Sequence, residues 1–144
     1  MTLTPDDLDG IGRQLAKHEG FSPVVYKDTM GQNTIGYGIL VDPPGGITIE
    51  EAKYLRDNRV RWRDEELSQR DWYRNLAGPR KWVIVNMSYQ LGVEGVRKFH
   101  KMIAAIVKED WNTAADEMLN SAWHTQTPKR CEELAAQMRN GSYP

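Results

Sequence analysis

His18-Glu19-Gly20-Phe21-Ser22-Pro23-Val24-Val25-Tyr26-Lys27-Asp28-Thr29-Met30-Gly31-Gln32-Asn33-Thr34-Ile35-Gly36-Tyr37-Gly38-Ile39 is where a helical pattern gives way to strands. Gly20 is a helix stop. Val24-Val25-Tyr26 is β-branched and aromatic, Gly31-Gln32-Asn33 is a turn signal, and Thr34 to Ile39 reads as a second strand loosened by glycines. The pattern predicts a small irregular antiparallel sheet within about residues 20–47. Asp42-Pro43-Pro44-Gly45-Gly46 closes it with a rigid loop.

Working outward, Thr4-Pro5-Asp6-Asp7 combines a capping threonine, a first-turn proline and acids suited to the positive end of the helix dipole. Leu8, Ile11 and Leu15 follow at spacings of three and four, so a helix is expected over 5–19. Downstream, Thr48-Ile49-Glu50-Glu51 is a capping box, with Ile47 and Ala52 placed for a hydrophobic staple. The polar helix it opens, about 48–69, has only Ala52, Leu55 and Trp62 on an apolar side. That composition suits a helix linking two lobes. Gly78-Pro79 breaks the chain again. Trp82 to Leu91 is apolar nearly all round, the pattern of a central buried helix. After Gly92, Val96, Phe99, Met102, Ile103 and Ile106 predict one helix, and Trp111 to Ala122 another. Thr127-Pro128 opens a last helix, which Asn140-Gly141 ends. The expected fold class is α+β. A small irregular antiparallel sheet lobe is joined by a long helix to a larger helical lobe of about 79–141, which helix 5–19 joins. The whole chain, 1–144, reads as one domain.

Composition narrows the function. The chain has 144 residues and a formal net charge of -1. No global positive field therefore argues for nucleic acid or an anionic membrane. A lone cysteine, Cys131, excludes an internal disulfide, and no Cys/His spacing suggests zinc. Cys131 is expected to be a packed residue of the last helix. The opening residues, Met1 to Asp7, have neither a basic start nor an apolar run, so no signal peptide is expected. No stretch approaches about 18 continuous apolar residues, so no stable membrane insertion is expected. With no heptad and no large apolar stripe, a monomer is the default.

Three side chains could carry chemistry: Glu19 at the helix end, Asp28 before the turn and Thr34 in the second strand. Glu19 lies four residues after Leu15 and continues the apolar stripe, so it should point inward, which favours a protonated carboxyl. Its place at a helix C-terminus acts in the same direction. Read singly, Glu19 is also a fraying helix-end residue, Asp28 an ordinary turn aspartate and Thr34 a good strand residue. Read together, an acid, a carboxylate and a hydroxyl beside that carboxylate are the parts needed for glycoside hydrolysis by direct attack of water.

His18-Glu19-Gly20, Tyr26-Lys27-Asp28-Thr29 and Thr34-Ile35-Gly36-Tyr37-Gly38 together resemble the active-site region of the phage lysozymes. Asn86-Met87-Ser88-Tyr89-Gln90-Leu91-Gly92 is similar to that family's central helix. Ser121-Ala122-Trp123-His124-Thr125-Gln126-Thr127-Pro128-Lys129-Arg130 is similar to its Trp…Gln-Thr-Pro…Arg segment. The blocks stand in the family's order. The resemblance implies a lysozyme-like fold and an endolysin that hydrolyses the β-1,4 bond between N-acetylmuramic acid and N-acetylglucosamine in peptidoglycan. The outcome implied is inversion, for which the carboxyl groups stand about 6.5–9.5 Å apart. It further implies that Glu19 is the acid, that Asp28 orients the water, and that Thr34 lies beside that water. Gly38 and Leu40 match the backbone edge along the glycan, and Tyr89 and Gln90 match residues facing the cleft. Arg130 matches an arginine that pairs with the acid, an influence opposing burial. No cofactor and no metal are implied. In a phage setting the protein would be made in the host cytoplasm. It would reach the periplasm or cell wall after a holin-type pore protein opens the inner membrane.

The sequence departs from the family's best-known member at Ile39, where that member has histidine. Met30 and Met102 stand for polar cleft residues, Glu117 stands for an asparagine, and the loop at Pro43-Pro44 is shorter. Two other readings remain. A lytic transglycosylase can work with one glutamate, but would leave Asp28 and Thr34 without a task. A lysozyme fold used only to bind the wall is the other, since fold alone does not establish activity.

Overall fold

The computed structural model describes residues 2–144, so Met1 of the opening segment lies outside the described residues. In chain order the elements are α1 (Pro5–Glu19), β1 (Ser22–Lys27), β2 (Asn33–Gly36), β3 (Ile39–Leu40), α2 (Ile49–Leu67), α3 (Asp71–Arg74), α4 (Gly78–Arg97), α5 (His100–Val107), α6 (Trp111–Leu119), α7 (Ala122–Gln126) and α8 (Pro128–Asn140). The fold is α+β, with one three-stranded antiparallel sheet in the order β1-β2-β3. Two compact units divide the chain, Met1–Lys53 and Tyr54–Pro144. The boundary falls inside α2. None of the described helices is long and apolar enough to cross a membrane.

In the first unit, α1 starts on a reciprocal cap. The Asp7 N–H donates to Thr4 Oγ1 (3.1 Å), and the Thr4 N–H donates to Asp7 Oδ2 (2.8 Å). Two of the orphan donors at a helix start are satisfied in this way. The helix stops at Gly20, whose φ of 68° suits glycine and whose N–H reaches Ala16 O at 3.0 Å. No residue of α1 is buried. The stripe of Leu8, Ile11 and Leu15 is apolar by spacing, but the sheet of this unit does not cover it.

The sheet corrects the expected second strand. Thr34 to Ile39 is two strands rather than one, because the chain reverses at Tyr37-Gly38 between Gly36 (φ 67°) and Gly38 (φ 73°). Positive φ at both positions is the conformation that glycine adopts without a Cβ clash. Ile35 then pairs with Ile39, and Thr34 with Leu40. Across β1 and β2, Tyr26 pairs with Thr34 and Lys27 with Asn33. The capping box at the start of α2 forms as the sequence predicts. The Glu51 N–H donates to Thr48 Oγ1 (3.1 Å), and the Thr48 N–H to Glu51 Oε1 (2.9 Å).

The second unit holds the hydrophobic core. Val83, Ile84 and Met87 of α4 meet Met102 and Ile106 of α5, Ala114, Ala115 and Met118 of α6, and Cys131, Leu134 and Met138 of α8. Burying each Ile, Leu or Met here stabilises by about 1.5–3 kcal/mol. Helix α4 is buried on one face rather than all round. Val83, Ile84, Met87 and Ser88 face the core, while Trp82 and Tyr89 are exposed. Spacings of three and four put those two on the face opposite the core. Within α4, Gly92 (φ 77°, ψ 160°) leaves the helical region, so the helix breaks there as the sequence predicts and a short second segment runs on to Arg97. The single helix expected after Gly92 is divided at Lys98 and Phe99, where ψ 61° at Phe99 leaves the helical region. Two short helices, α3 and α7, were not foreseen. They seat Tyr73 and Trp123 in the core, and a stretch of four or five residues is too short to display a period.

Helix α8 ends at Gly141 (φ 66°). It is fastened to the start of α4 by Arg80, whose Nε donates to Met138 O (2.7 Å) and whose guanidinium lies 3.9 Å from the centre of the Trp111 ring. Gln137 Nε2 adds a bond to Pro79 O at 2.7 Å. Cys131 is fully buried against Met118 O, and burial pushes its thiol up to about 11.

Candidate active site

Glu19, Asp28, Thr34, Gly38 and Leu40 lie in the first unit; Tyr89, Gln90 and Arg130 lie in the second. Glu19 is the last residue of α1 and is exposed, so the inward orientation expected from its spacing does not occur. The cause is that the stripe it extends is itself uncovered in this unit. Its side chain lies on the backbone of residue 38 instead. A Cβ added to Gly38 would stand 2.6 Å from Glu19 Oε2 and 3.1 Å from Cγ. The φ of 73° favours glycine here, and a side chain at this position would also displace the Glu19 carboxylate.

Asp28 begins the turn between β1 and β2. Its Oδ1 accepts from the N–H groups of Met30 (2.9 Å) and Gln32 (2.8 Å). This is the bonding of an ordinary turn aspartate, and it engages one carboxylate oxygen. Among the described residues, Oδ2 accepts no hydrogen bond. Thr34 is 3 % exposed, and its hydroxyl donates to Gln32 O at 3.1 Å. Gln32 O also accepts from the Asp28 N–H at 2.9 Å. Asp28 and Thr34 are thus both tied to Gln32.

Asp42 was read from sequence only as part of a rigid loop, and it does more. Its Oδ2 accepts from the Asn33 N–H (2.9 Å) and its Oδ1 from Asn33 Nδ2 (3.1 Å). Those donors hold its carboxyl below the usual carboxylate range, the backbone bond contributing most. A contact nine residues apart across two strands leaves no periodic signal in sequence. Leu40 lies on the edge strand β3, and its carbonyl accepts from the Gly46 N–H at 2.8 Å. Phe21 and Tyr37, both exposed, pair with ring centres 5.3 Å apart beside the Glu19 and Gly38 positions.

In the second unit, Tyr89 and Arg130 line a cavity of about 690 Å³ together with Trp82 and Asn86. Arg130 is held by Asn86, its Nε donating to Oδ1 (3.0 Å) and its Nη2 to the backbone O (3.1 Å). Gln90 does not line that cavity. Its Oε1 accepts from Trp123 Nε1 at 2.9 Å, which anchors the short helix α7 to α4. A second cavity of about 600 Å³ has Glu117 and Trp123 in its wall. Met102, expected to stand for a polar cleft residue, is fully buried in the core, whereas Met30 is exposed. Among the described residues, no group of three or more His, Cys, Asp or Glu side chains is assembled that could hold a metal ion.

Comparison with known proteins adds to this geometry. A family profile described as phage lysozyme matches residues 16–140. The chain is 30% identical over 153 residues to a probable T4-type lysozyme 2 of Dictyostelium discoideum, covering 86% of this chain and 90% of that protein. It is 29% identical over 164 residues to a probable T4-type lysozyme 1 of the same organism, covering 94% and 96%. It is 30% identical over 165 residues to the pre-baseplate central spike protein Gp5 of Enterobacteria phage T4, covering 92% of this chain and 28% of that protein.

Proposed function

The chain belongs to the phage lysozyme family, and from that premise we propose that it is an endolysin cutting the β-1,4 bond between N-acetylmuramic acid and N-acetylglucosamine with inversion. It is a glycoside hydrolase of lysozyme type, and its substrate is peptidoglycan.

In the proposed reaction, Glu19 gives its proton to the glycosidic oxygen as the bond to the anomeric carbon breaks. Water attacks that carbon from the opposite face. Asp28 Oδ2 takes the proton that the water releases, and Thr34 Oγ1 accepts a hydrogen bond from the water's other hydrogen, which stays on the new hydroxyl. The leaving sugar departs with the proton from Glu19, and the new hydroxyl carries the inverted configuration. The backbone at Gly38 and Leu40 runs along the glycan, and Tyr89 and Gln90 bind it. The protein works as a monomer, since one chain carries Glu19, Asp28 and Thr34. It is made in the host cytoplasm and gains access to the wall through a holin-type pore protein.

The observation that carries this reading is the half-engaged carboxylate of Asp28. One oxygen fixes the turn and the other is left to accept from water, while the Thr34 hydroxyl hydrogen is already committed to Gln32 and leaves its lone pairs to the same water. Digestion of purified peptidoglycan in heavy-oxygen water tests it. Labelled reducing N-acetylmuramic acid ends, and no products from a folded Glu19→Gln variant, are expected. Unlabelled anhydro ends would instead establish a transglycosylase. No products from the folded wild type would leave a wall-binding protein, and an active Glu19→Gln variant would remove Glu19 from the chemistry. Proton magnetic resonance of the fresh products reads the anomeric configuration.

A further inference from the structure

The Gln32-Asn33 peptide unit is a single rigid plane, because the C–N bond has partial double-bond character. One edge of that plane is the Gln32 carbonyl, which accepts from the Thr34 hydroxyl (3.1 Å) and from the Asp28 N–H (2.9 Å). The opposite edge is the Asn33 N–H, which donates to Asp42 Oδ2 at 2.9 Å. The second carboxylate oxygen of Asp42 takes the Asn33 side-chain amide at 3.1 Å, so the carboxylate cannot swing away without losing both bonds. Asp42 lies in the bend just after β3, where the neighbouring Val41 N–H donates to Asn33 O at 2.8 Å and the Gly45 N–H donates to Asp42 O at 2.7 Å.

We propose that Asp42 is a positioning residue for the hydrolysis: by fixing the tilt of the Gln32-Asn33 peptide plane, it aims the Thr34 hydroxyl and closes the Asp28 turn. The inference rests on the roles proposed above for Asp28 and Thr34. A plane released on its N–H edge rotates about its flanking single bonds, and its carbonyl edge turns with it. The Thr34 hydroxyl then loses its acceptor and is free to point its hydrogen at the attacking water, where a lone pair is needed. The Asp28 backbone loses the bond that closes its loop. Neither change touches the sugar-contacting edge at Gly38. The loss therefore falls on the chemical step rather than on binding.

Steady-state kinetics on purified peptidoglycan, with thermal melting of each variant, test this. Asp42→Ala should lower kcat on the order of 10- to 100-fold with KM little changed, the scale of a misplaced reacting group. Asp42→Asn, which keeps a carbonyl oxygen for the Asn33 N–H, should recover most of that loss. Asn33→Ala, which keeps the backbone N–H and removes only the side-chain amide, should stay close to wild type. In a Thr34→Ala background, Asp42→Ala should cost less than it does in the wild type, because the part of its effect that passes through Thr34 is already lost. Wild-type kcat in folded Asp42→Ala would overturn the proposal. So would a loss from Asn33→Ala as large as that from Asp42→Ala, or losses at Asp42 and Thr34 that simply multiply. If Asp28→Asn and Thr34→Ala themselves turn over like wild type, the roles of those two side chains fail and this proposal falls with them. If they are impaired and Asp42→Ala is not, this proposal alone fails.

Discussion

The carboxylate of Glu19 rests on the α-carbon of Gly38, so closely that a methyl group at residue 38 would stand 2.6 Å from Oε2. A glutamate at a helix end is ordinarily a mobile side chain; here a backbone reversal gives it a floor. Gly38→Ala should push the carboxylate aside and lower turnover on the order of 10- to 100-fold. The left-handed backbone at this position adds a cost of about 1–2 kcal/mol in stability. Turnover on purified peptidoglycan and thermal melting read the two effects separately. Wild-type turnover in the alanine variant would show that the contact does not position the acid.

Asp28 has a structural oxygen and a free one, and two substitutions separate them. Asp28→Asn keeps a carbonyl oxygen for the Met30 and Gln32 N–H groups, so melting should be nearly unchanged while activity collapses. Asp28→Ala should lose activity and also about 1–2 kcal/mol from the unmade turn bonds. Equal activity losses with an equal fall in melting temperature would reduce Asp28 to a turn residue.

Acid should unfold this protein through its caps. Asp7 and Glu51 accept chiefly from a backbone N–H at a helix start, and Asp110 from the Thr113 hydroxyl and then the Thr113 N–H; these bonds hold their carboxyls below the ordinary 3.8 for aspartate and 4.5 for glutamate. A folded value lower than the unfolded one contributes stability above the unfolded value and loses it as pH falls through the folded one. The melting temperature should therefore hold between neutral pH and about pH 5 and fall below about pH 4.5. Replacing Asp7 and Glu51 by alanine should flatten that fall, since two of the three lowered carboxylates are then gone. Melts across the acid range would expose an error if the double variant followed the wild-type slope.

Cys131 should be chemically silent in the folded state. It is fully buried, its thiol points at Met118 O, and it is pushed up to about 11, so little thiolate forms at pH 8. A chromogenic disulfide reagent should react with it only after denaturant is added. Rapid reaction under native conditions would mean that α8 opens readily.

The parts of the fold that rest on neighbouring residues were legible in sequence. The cap at Thr4, the stop at Gly20, the capping box at Thr48-Glu51 and the terminal Gly141 are all local chemistry, and each occurs where the residues predict it. Partners distant along the chain were not legible. The exposure of Glu19 depends on what covers α1, which periodicity does not report. The reversal at Tyr37-Gly38 hides in a stretch whose composition is that of a strand. The burial of Met102 depends on α5 turning inward after the break at Phe99. Asp42 meets Asn33 only once β2 and β3 have paired, so a loop aspartate looked like punctuation.

Among the described residues, every buried hydrophobic side chain falls between Leu67 and Met138, whereas Glu19, Asp28 and Thr34 all precede residue 54. Synthesis runs in that order. The hairpin around Asp28 leaves the ribosome first, held by turn bonds that close over a few residues. The last oily contact, at Met138, is made some 85 residues after Lys53, roughly 4 to 17 s later at about 5–20 residues per second. A nascent chain therefore acquires the local geometry of its reactive turn well before it acquires the mass that makes it durable. A chain truncated before α8 would keep that turn yet lack the packing that shields a protein from proteases.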